Sequence, residues 1–231
     1  MKNKEVTTLV IGALCFQLLY SAHGQGTFQN LSFESPTLIP VPGDPYGRVQ
    51  FTPALPGWTG YIGSTAETLA LYNNMFLDST GLGLQGPNSG LNIEGNYTAM
   101  IQSGYALSGP PTQVNASLSQ SGVLSSDARS LQFRAAGFGP FEVALNGQSL
   151  SLIPLSSTPG YTLYGADVAA FAGLAAELRF TALPRPSPPI ISTFFLDGIV
   201  FSNQPIPEPS VFGLFALGVS LLCWRFVRAR R

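Results

Sequence analysis

The chain has 231 residues, a formal net charge of −1, one histidine and two cysteines. His23, Cys15 and Cys223 lie outside residues 25–204, so that segment cannot form a Ser-His-Asp or Cys-His catalytic site, a zinc site or a disulfide. The same segment has five arginines, no lysine and ten carboxylates, a formal charge of −5 that excludes the cationic surface needed for nucleic-acid binding.

The N-terminus has the three parts of a secretory signal peptide. Lys2 and Lys4 precede a mostly apolar stretch, Val6–Tyr20, which is followed by the small residues of Ser21–Gly24. This order predicts a signal helix over residues 1–24 that directs export and is then cleaved off. A retained membrane helix is the alternative, but the apolar stretch is short for one.

Residues 25–204 show short apolar stretches separated by turns rich in glycine, proline, asparagine and serine. Several stretches alternate with a period of two, so that Leu131, Phe133 and Ala135 share one face, and the first predicted strand is Phe28–Glu34. About ten short strands and no long amphipathic helix predict one exported all-β domain, an antiparallel β-sandwich.

Two short stretches within this segment predict particular local structures, a hairpin turn and a single helical turn. Asn146 and Gly147 lie between two strand-like runs and predict a two-residue hairpin turn, because both central positions need positive φ. Asp167–Leu174 is the one stretch with helical character. Its short length and Gly173 predict a single turn, which Asp167 can cap.

Residues 205–231 form a tripartite tail. The two prolines of the motif Pro207-Glu208-Pro209 favour an extended backbone. The uncharged run Val211–Trp224 follows the motif. At ~1.5 Å per residue this transmembrane segment is roughly 21 Å long, short of the ~30 Å hydrocarbon core. Arginines end the tail and predict a cytoplasmic stop-transfer end by the positive-inside rule; they are Arg225, Arg228, Arg230 and Arg231.

This order of motif, apolar run and arginines resembles the PEP-CTERM sorting signal, which bacterial exosortases recognise. The resemblance implies a non-enzymatic protein of the cell surface or extracellular matrix in a Gram-negative bacterium. It also implies transient anchoring in the inner membrane, with an exosortase-type enzyme and the membrane as partners. An ordinary tail anchor is the alternative interpretation of the same residues.

A second resemblance covers the exported domain. Its local motifs follow the order found in galactose-binding-like jelly rolls, and they are Asn30–Glu34, Pro56–Trp58, Gly95–Gln102, Asp167–Gly173 and Leu196–Phe201. Many PEP-CTERM proteins look like this, with such a sandwich ahead of the tail. The resemblance therefore implies a jelly roll.

The jelly-roll resemblance also implies a structural calcium ion, because the first and last strands of such folds lie side by side. Glu34 and Asp197 match the acidic positions of the opening and closing motifs. Ca²⁺ takes six to eight oxygens, and backbone carbonyls could supply the rest. In the alternative interpretation, Asp197 stabilises a turn beside Gly198 and Glu34 is a solvated edge residue.

Binding of an extracellular polysaccharide is the second hypothesis for function. Sugars stack on aromatic rings, and the candidate rings are Trp58, Tyr61 and Tyr97. Trp58 follows Gly57 at a tight turn, and core packing is the stronger interpretation for it. Carboxylate pairs that could support glycoside hydrolysis cannot be assigned from the sequence, so no catalytic residue is predicted.

Overall fold

The computed structural model describes residues 26–206. The predicted signal peptide and the sorting motif with its apolar run and arginines lie outside these residues. Within 26–206 no helix is long and apolar enough to cross a membrane.

Strands make up nearly all of the regular structure. One four-residue helix, α1 (Phe51–Ala54), and one 3₁₀ turn, Ala169–Phe171, interrupt them. The strands are β1 Val49–Gln50, β2 Thr59–Ile62, β3 Thr65–Ala66, β4 Leu69–Tyr72, β5 Gly81–Gln85, β6 Thr98–Tyr105, β7 Gln113–Val114, β8 Ala116–Val123, β9 Ser130–Phe138, β10 Phe141–Leu145, β11 Gln148–Ser149, β12 Ile153–Ser157, β13 Thr162–Asp167, β14 Ala175–Ala182 and β15 Ser192–Ser202.

These strands form two sheets. The larger has nine strands in the order β1-β4-β5-β6-β15-β9-β13-β12, with β7 paired to β6. The smaller has six, in the order β11-β10-β14-β8-β2-β3. The long strands pair in antiparallel orientation. Strands β4 and β5, by contrast, pair in parallel orientation. The predicted all-β sandwich is therefore confirmed, with one parallel pairing added to it.

Alternating side chains of both sheets fill the space between them. In β14, Leu178 and Phe180 are buried, while Arg179 points to the outer face. The Phe133 ring of β9 meets the Phe180 ring of β14 edge-on, with centroids 5.1 Å apart, so the two sheets are in direct contact. Truncating a phenylalanine in such a core typically costs about 3–5 kcal/mol of stability.

The first predicted strand, Phe28–Glu34, is wrong in detail, since this segment forms no strand. Asn30 has φ 48° and Phe33 has φ 59°, and the Phe33 amide donates to the Asn30 carbonyl in a turn. An extended strand cannot contain two such residues. The segment still reaches the last strand, because the Leu31 carbonyl accepts a hydrogen bond from the Ile199 amide at 3.0 Å.

The hairpin prediction agrees with the structure, and the predicted single turn is the 3₁₀ turn, whose N-cap is Val168 and not Asp167. Asn146 and Gly147 have φ 52° and 77° and join β10 to β11. The Asp167 carboxylate accepts the Ala169 amide at 2.8 Å, at the start of the single 3₁₀ turn.

Candidate functional site

Trp58, the first predicted sugar platform, is a core residue. Its side chain is only 3% exposed and lies between the Phe33 and Phe180 rings, with centroids at 5.4 and 6.2 Å. Its indole N–H donates to the Asn30 carbonyl at 3.1 Å. Burial leaves no ring face of Trp58 open to a ligand, so the prediction that Trp58 stacks on a sugar is wrong.

Tyr61 lies on the outer face of the six-stranded sheet and is half-buried. The Arg179 guanidinium stands 4.7 Å from its ring centroid. That guanidinium is fixed by the Glu177 carboxylate at 2.7 Å and the Ser117 hydroxyl at 3.0 Å. One ring face of Tyr61 is therefore already covered by a cation held in place.

Tyr97 lies next to β6 of the other sheet and packs partly against the core. It is half-buried, and its amide donates to the Glu34 carboxylate at 2.9 Å. Tyr61 and Tyr97 belong to different sheets, so the three predicted rings do not form one platform.

Glu34 and Asp197 both hold the segment 94–98, which precedes and begins β6. Glu34 accepts the amides of Asn96 and Tyr97 at 2.8 and 2.9 Å. Asp197 accepts the Glu94 amide at 3.1 Å and the Thr98 hydroxyl at 2.7 Å with one oxygen. The predicted pair is thus linked through one stretch of backbone.

Asp197 is the unusual member of this pair. It is 1% exposed, and its second oxygen accepts the Gly198 amide at 2.7 Å. Burial raises the pKa of Asp197 from 3.8 to about 6, although the hydrogen bonds from Thr98, Gly198 and Glu94 oppose this shift. Glu94 itself forms an ion pair with Arg134 at 2.8 Å.

The contacts of these carboxylates do not by themselves make a calcium site. Ca²⁺ needs six to eight oxygens, whereas these oxygens already accept five hydrogen bonds from the protein. Among residues 26–206, no three histidine, cysteine, aspartate or glutamate side chains are grouped as a metal site. Calcium binding by Glu34 and Asp197 stays a prediction.

An aromatic cleft of about 310 Å³ lies at one end of the sandwich. It arises where β13 begins at Thr162, opposite Ala135, while β9 continues for three more residues to Phe138. The turn 158–161 closes the other side. The aromatic residues that line the cleft are Phe138, Phe141, Tyr161, Tyr164 and Phe194.

The floor of the aromatic cleft is a rigid group of rings. Phe141 stacks on Phe194 with centroids 5.0 Å apart and meets Tyr164 edge-on at 5.4 Å. Tyr164 in turn stacks on the core ring of Phe133 at 5.5 Å. These contacts join the floor to the hydrophobic core and fix its shape in advance of binding.

The rim of the aromatic cleft is more accessible. Phe138 is 49% exposed, and Tyr161 is partly exposed on the turn 158–161. The Thr158 hydroxyl accepts the Tyr161 amide at 3.1 Å and so orders this turn. The Arg134 guanidinium, paired with Glu94, lies over one face of the Tyr161 ring at 5.6 Å from its centroid, which leaves the other face for a ligand.

Two glycines shape the end of β9 beside Phe138. Gly137 and Gly139 have φ 117° and 93°, values that side chains with a Cβ rarely adopt. A Cβ at Gly137 would collide with the Thr193 carbonyl, and one at Gly139 with the Ser192 side chain. Both glycines are therefore required for β9 to lie this close to β15.

Sequence reasoning missed the aromatic cleft because its rings come from three separate segments, 138–141, 161–164 and residue 194. One local signal was available in the run Gly137 to Phe141, where two phenylalanines alternate with two glycines and a proline. That pattern indicates aromatic rings on a sharply turning backbone. The other three rings can be placed beside it only when strand pairing is known.

Comparisons with known proteins yielded structural similarities only. No protein-family model matches the chain, and no curated protein does. A carbohydrate-binding module, TmCBM61, solved with β-1,4-galactotriose, has 13% identity and a TM-score of 0.45, covering 78% of this chain and 99% of its own. The enzymatically active domain of bacteriophage CBA120 tailspike protein 4 has 15% identity and a TM-score of 0.36, covering 64% of this chain and 19% of its own.

Proposed function

We propose that this is an exported, non-enzymatic surface protein whose sandwich binds a neutral glycan in the aromatic cleft. The observation that carries the proposal is the pairing of accessible rings, Phe138 and Tyr161, with a rigid aromatic floor. Sugar rings stack on exposed aromatic surfaces, and small-ligand sites are typically concave and largely pre-formed.

The side chains that line the aromatic cleft support a class of ligand for the proposed site. No charged side chain lines it. Arg134, whose guanidinium lies 5.6 Å from the Tyr161 ring centroid, is paired with Glu94. A cleft without a free cation favours a neutral glycan over a uronate or sulfated one. The lining holds no carboxylate, so it lacks the carboxylate pair that most glycoside hydrolases use.

Alanine substitution in residues 25–206 tests the glycan proposal. A neutral-oligosaccharide array identifies the ligand, and calorimetry then measures its affinity. Phe138→Ala and Tyr161→Ala are each expected to weaken binding about tenfold, which is ~1.4 kcal/mol. Tyr46→Ala, an exposed aromatic outside the cleft, is the matched control and should bind as the wild type does. An array without a ligand, or cleft variants with unchanged affinity, would refute the proposal.

We further propose that an exosortase-type enzyme sorts the protein through Pro207–Pro209. The order of this motif, Val211–Trp224 and the terminal arginines supports sorting from the inner membrane to the cell surface or matrix of a Gram-negative bacterium. The two-sheet architecture supports the accompanying assignment of the domain as a galactose-binding-like jelly roll.

Processing in the native host tests the sorting proposal separately. Glu208→Ala, or removal of the arginines after Trp224, should leave a larger, unprocessed protein in the inner membrane. Immunoblots of fractionated cells measure both size and location. Normal size and surface location of both variants would contradict sorting and leave glycan binding untouched.

A further inference from the structure

A charged group lies behind the rim of the aromatic cleft without lining it. The Arg134 guanidinium covers one face of the Tyr161 ring, and Glu94 pairs with that guanidinium at 2.8 Å. Tyr161 lines the cleft, whereas neither charged side chain does. A ligand stacked on the free face of Tyr161 is therefore separated from both charges by one aromatic ring.

The contact between Glu94 and Arg134 is set by the backbone around it. The Glu94 amide donates to the buried Asp197 carboxylate at 3.1 Å, and strand pairing places Asp197 opposite Arg134. A Cβ at Gly198 would collide with the Arg134 guanidinium and lie 2.9 Å from a Glu94 carboxylate oxygen, so the ion pair passes directly over this glycine. The pairing of β9 with β15 and one backbone hydrogen bond thus hold the two charges together.

Two carboxylates face the single guanidinium. We call Arg134, Glu94 and Asp197 the rim charges. Burial raises the pKa of Asp197 to about 6, so well above this pH the rim charges sum to 1 − 2 = −1. Without the charge of Glu94 the sum is zero, and a negatively charged ligand beside Tyr161 is no longer repelled.

We propose that Glu94 is the residue that keeps acidic glycans out of the aromatic cleft. Its carboxylate acts through Arg134, whose charge it cancels behind the Tyr161 ring. This inference rests on the proposed glycan site and adds to it a cause for the preference for neutral sugars over uronates. Glu94 is thus a specificity-determining residue that acts from outside the cleft lining.

The distance sets the size of the effect. The guanidinium lies 5.6 Å from the Tyr161 centroid, and a stacked sugar adds ~4 Å on the other face, so the charges are about 10 Å from the ligand. One unit of charge at this distance changes the affinity for a carboxylate by about twofold to fivefold at low ionic strength. In about 1 M salt the Debye length is ~3 Å, and the effect should disappear.

The other sheet offers a matched control with the same arrangement of side chains. Glu177 pairs with Arg179 at 2.7 Å, and that guanidinium lies 4.7 Å from the Tyr61 ring centroid. None of these three residues lines the aromatic cleft. Glu177→Gln therefore changes the net charge as Glu94→Gln does, in a similar ion pair, but away from the proposed glycan site.

Calorimetry on residues 25–206 compares two probes. One is the neutral oligosaccharide that the array identifies, and the other is the same oligosaccharide with one primary hydroxyl oxidised to a carboxylate. The measured quantity is the dissociation constant of the acidic probe divided by that of the neutral probe. A variant that only misplaces Tyr161 weakens both probes alike and leaves this ratio unchanged.

The ratio should fall about twofold to fivefold in Glu94→Gln at low ionic strength and return to the wild-type value in about 1 M salt. Arg134→Gln should raise it, and Glu177→Gln should leave it at the wild-type value. Equal ratios in Glu94→Gln and Glu177→Gln, with neutral binding intact, overturn this inference alone. A wild-type protein that binds no neutral glycan overturns the proposed function and this inference with it.

Discussion

At the scale of single residues, Asp197 connects the last long strand to the segment before β6. Its two oxygens hold the amides of Glu94 and Gly198 and the hydroxyl of Thr98. A buried carboxylate with three donors is costly to ionise but also costly to remove. Its protonation should therefore be visible in the stability of the whole domain.

We predict that the free energy of unfolding falls as the pH rises from about 4 through about 6. The pKa of Asp197 is raised from 3.8 to about 6 in the folded state, mainly by burial. Between these values the folded state binds more protons than the unfolded state, so stability decreases with rising pH. Urea unfolding at a series of pH values measures this slope.

Asp197→Asn is expected to flatten that slope and to cost about 1–3 kcal/mol at neutral pH, because an amide nitrogen would face a donor. Asp127→Asn changes an exposed aspartate in the same way and should keep the wild-type slope. Burial also raises the pKa of Glu67, so this residue makes the free energy of unfolding fall with rising pH in the same way. Glu67 is present in both variants, so its contribution cancels in the comparison. A wild-type slope in Asp197→Asn would contradict the assignment.

Calcium at Glu34 and Asp197 is a separate residue-scale prediction. If the ion binds there, excess chelator should lower the thermal midpoint of residues 25–206, and added calcium should restore it. The chelator should have no effect on Glu34→Gln, because that variant already lacks a ligand. An unchanged wild-type midpoint would leave both carboxylates with only their hydrogen-bonding role.

At the scale of elements, the glycine-rich end of β9 shapes the aromatic cleft. We predict that Gly139→Ala lowers stability by about 1–3 kcal/mol, since it combines positive φ with a steric collision at Ser192. Gly43→Ala is the matched control, because Gly43 has φ 74° and no atom within 4 Å of an added Cβ. Equilibrium urea unfolding compares the two, and an equal loss would show that strain alone, without the collision, explains the effect.

The elements also show what sequence can predict. The β10–β11 turn followed from Asn146 and Gly147 because a two-residue turn imposes a local backbone requirement. The segment Phe28–Glu34 has a strand-like sequence, yet its turn depends on packing Phe33 against Trp58, a contact between distant residues. The cleft was missed for the same reason: Phe138 and Tyr161 meet only through the order of strands in the sheet.

At the scale of the whole molecule, the sandwich separates its two proposed tasks. Strand β15 starts beside the cleft, where Thr193 pairs with Phe138, and finishes where Ser202 pairs with Ser130, next to the segment that leads to the predicted tail. Phe133, Tyr164 and Phe141 join the cleft floor to the core, so the packing between the sheets supports the cleft. Binding should therefore be insensitive to whether the tail is anchored or removed.

This separation yields a prediction for the intact protein. Residues 25–206 in solution and residues 25–231 in vesicles should bind the same glycan with the same dissociation constant, because the cleft is open to solvent in both. Competition between the two forms for one labelled oligosaccharide measures the ratio directly, and Phe138→Ala in each form controls for adsorption to lipid. Weaker binding by the anchored form would mean that the bilayer covers the cleft and would contradict this prediction.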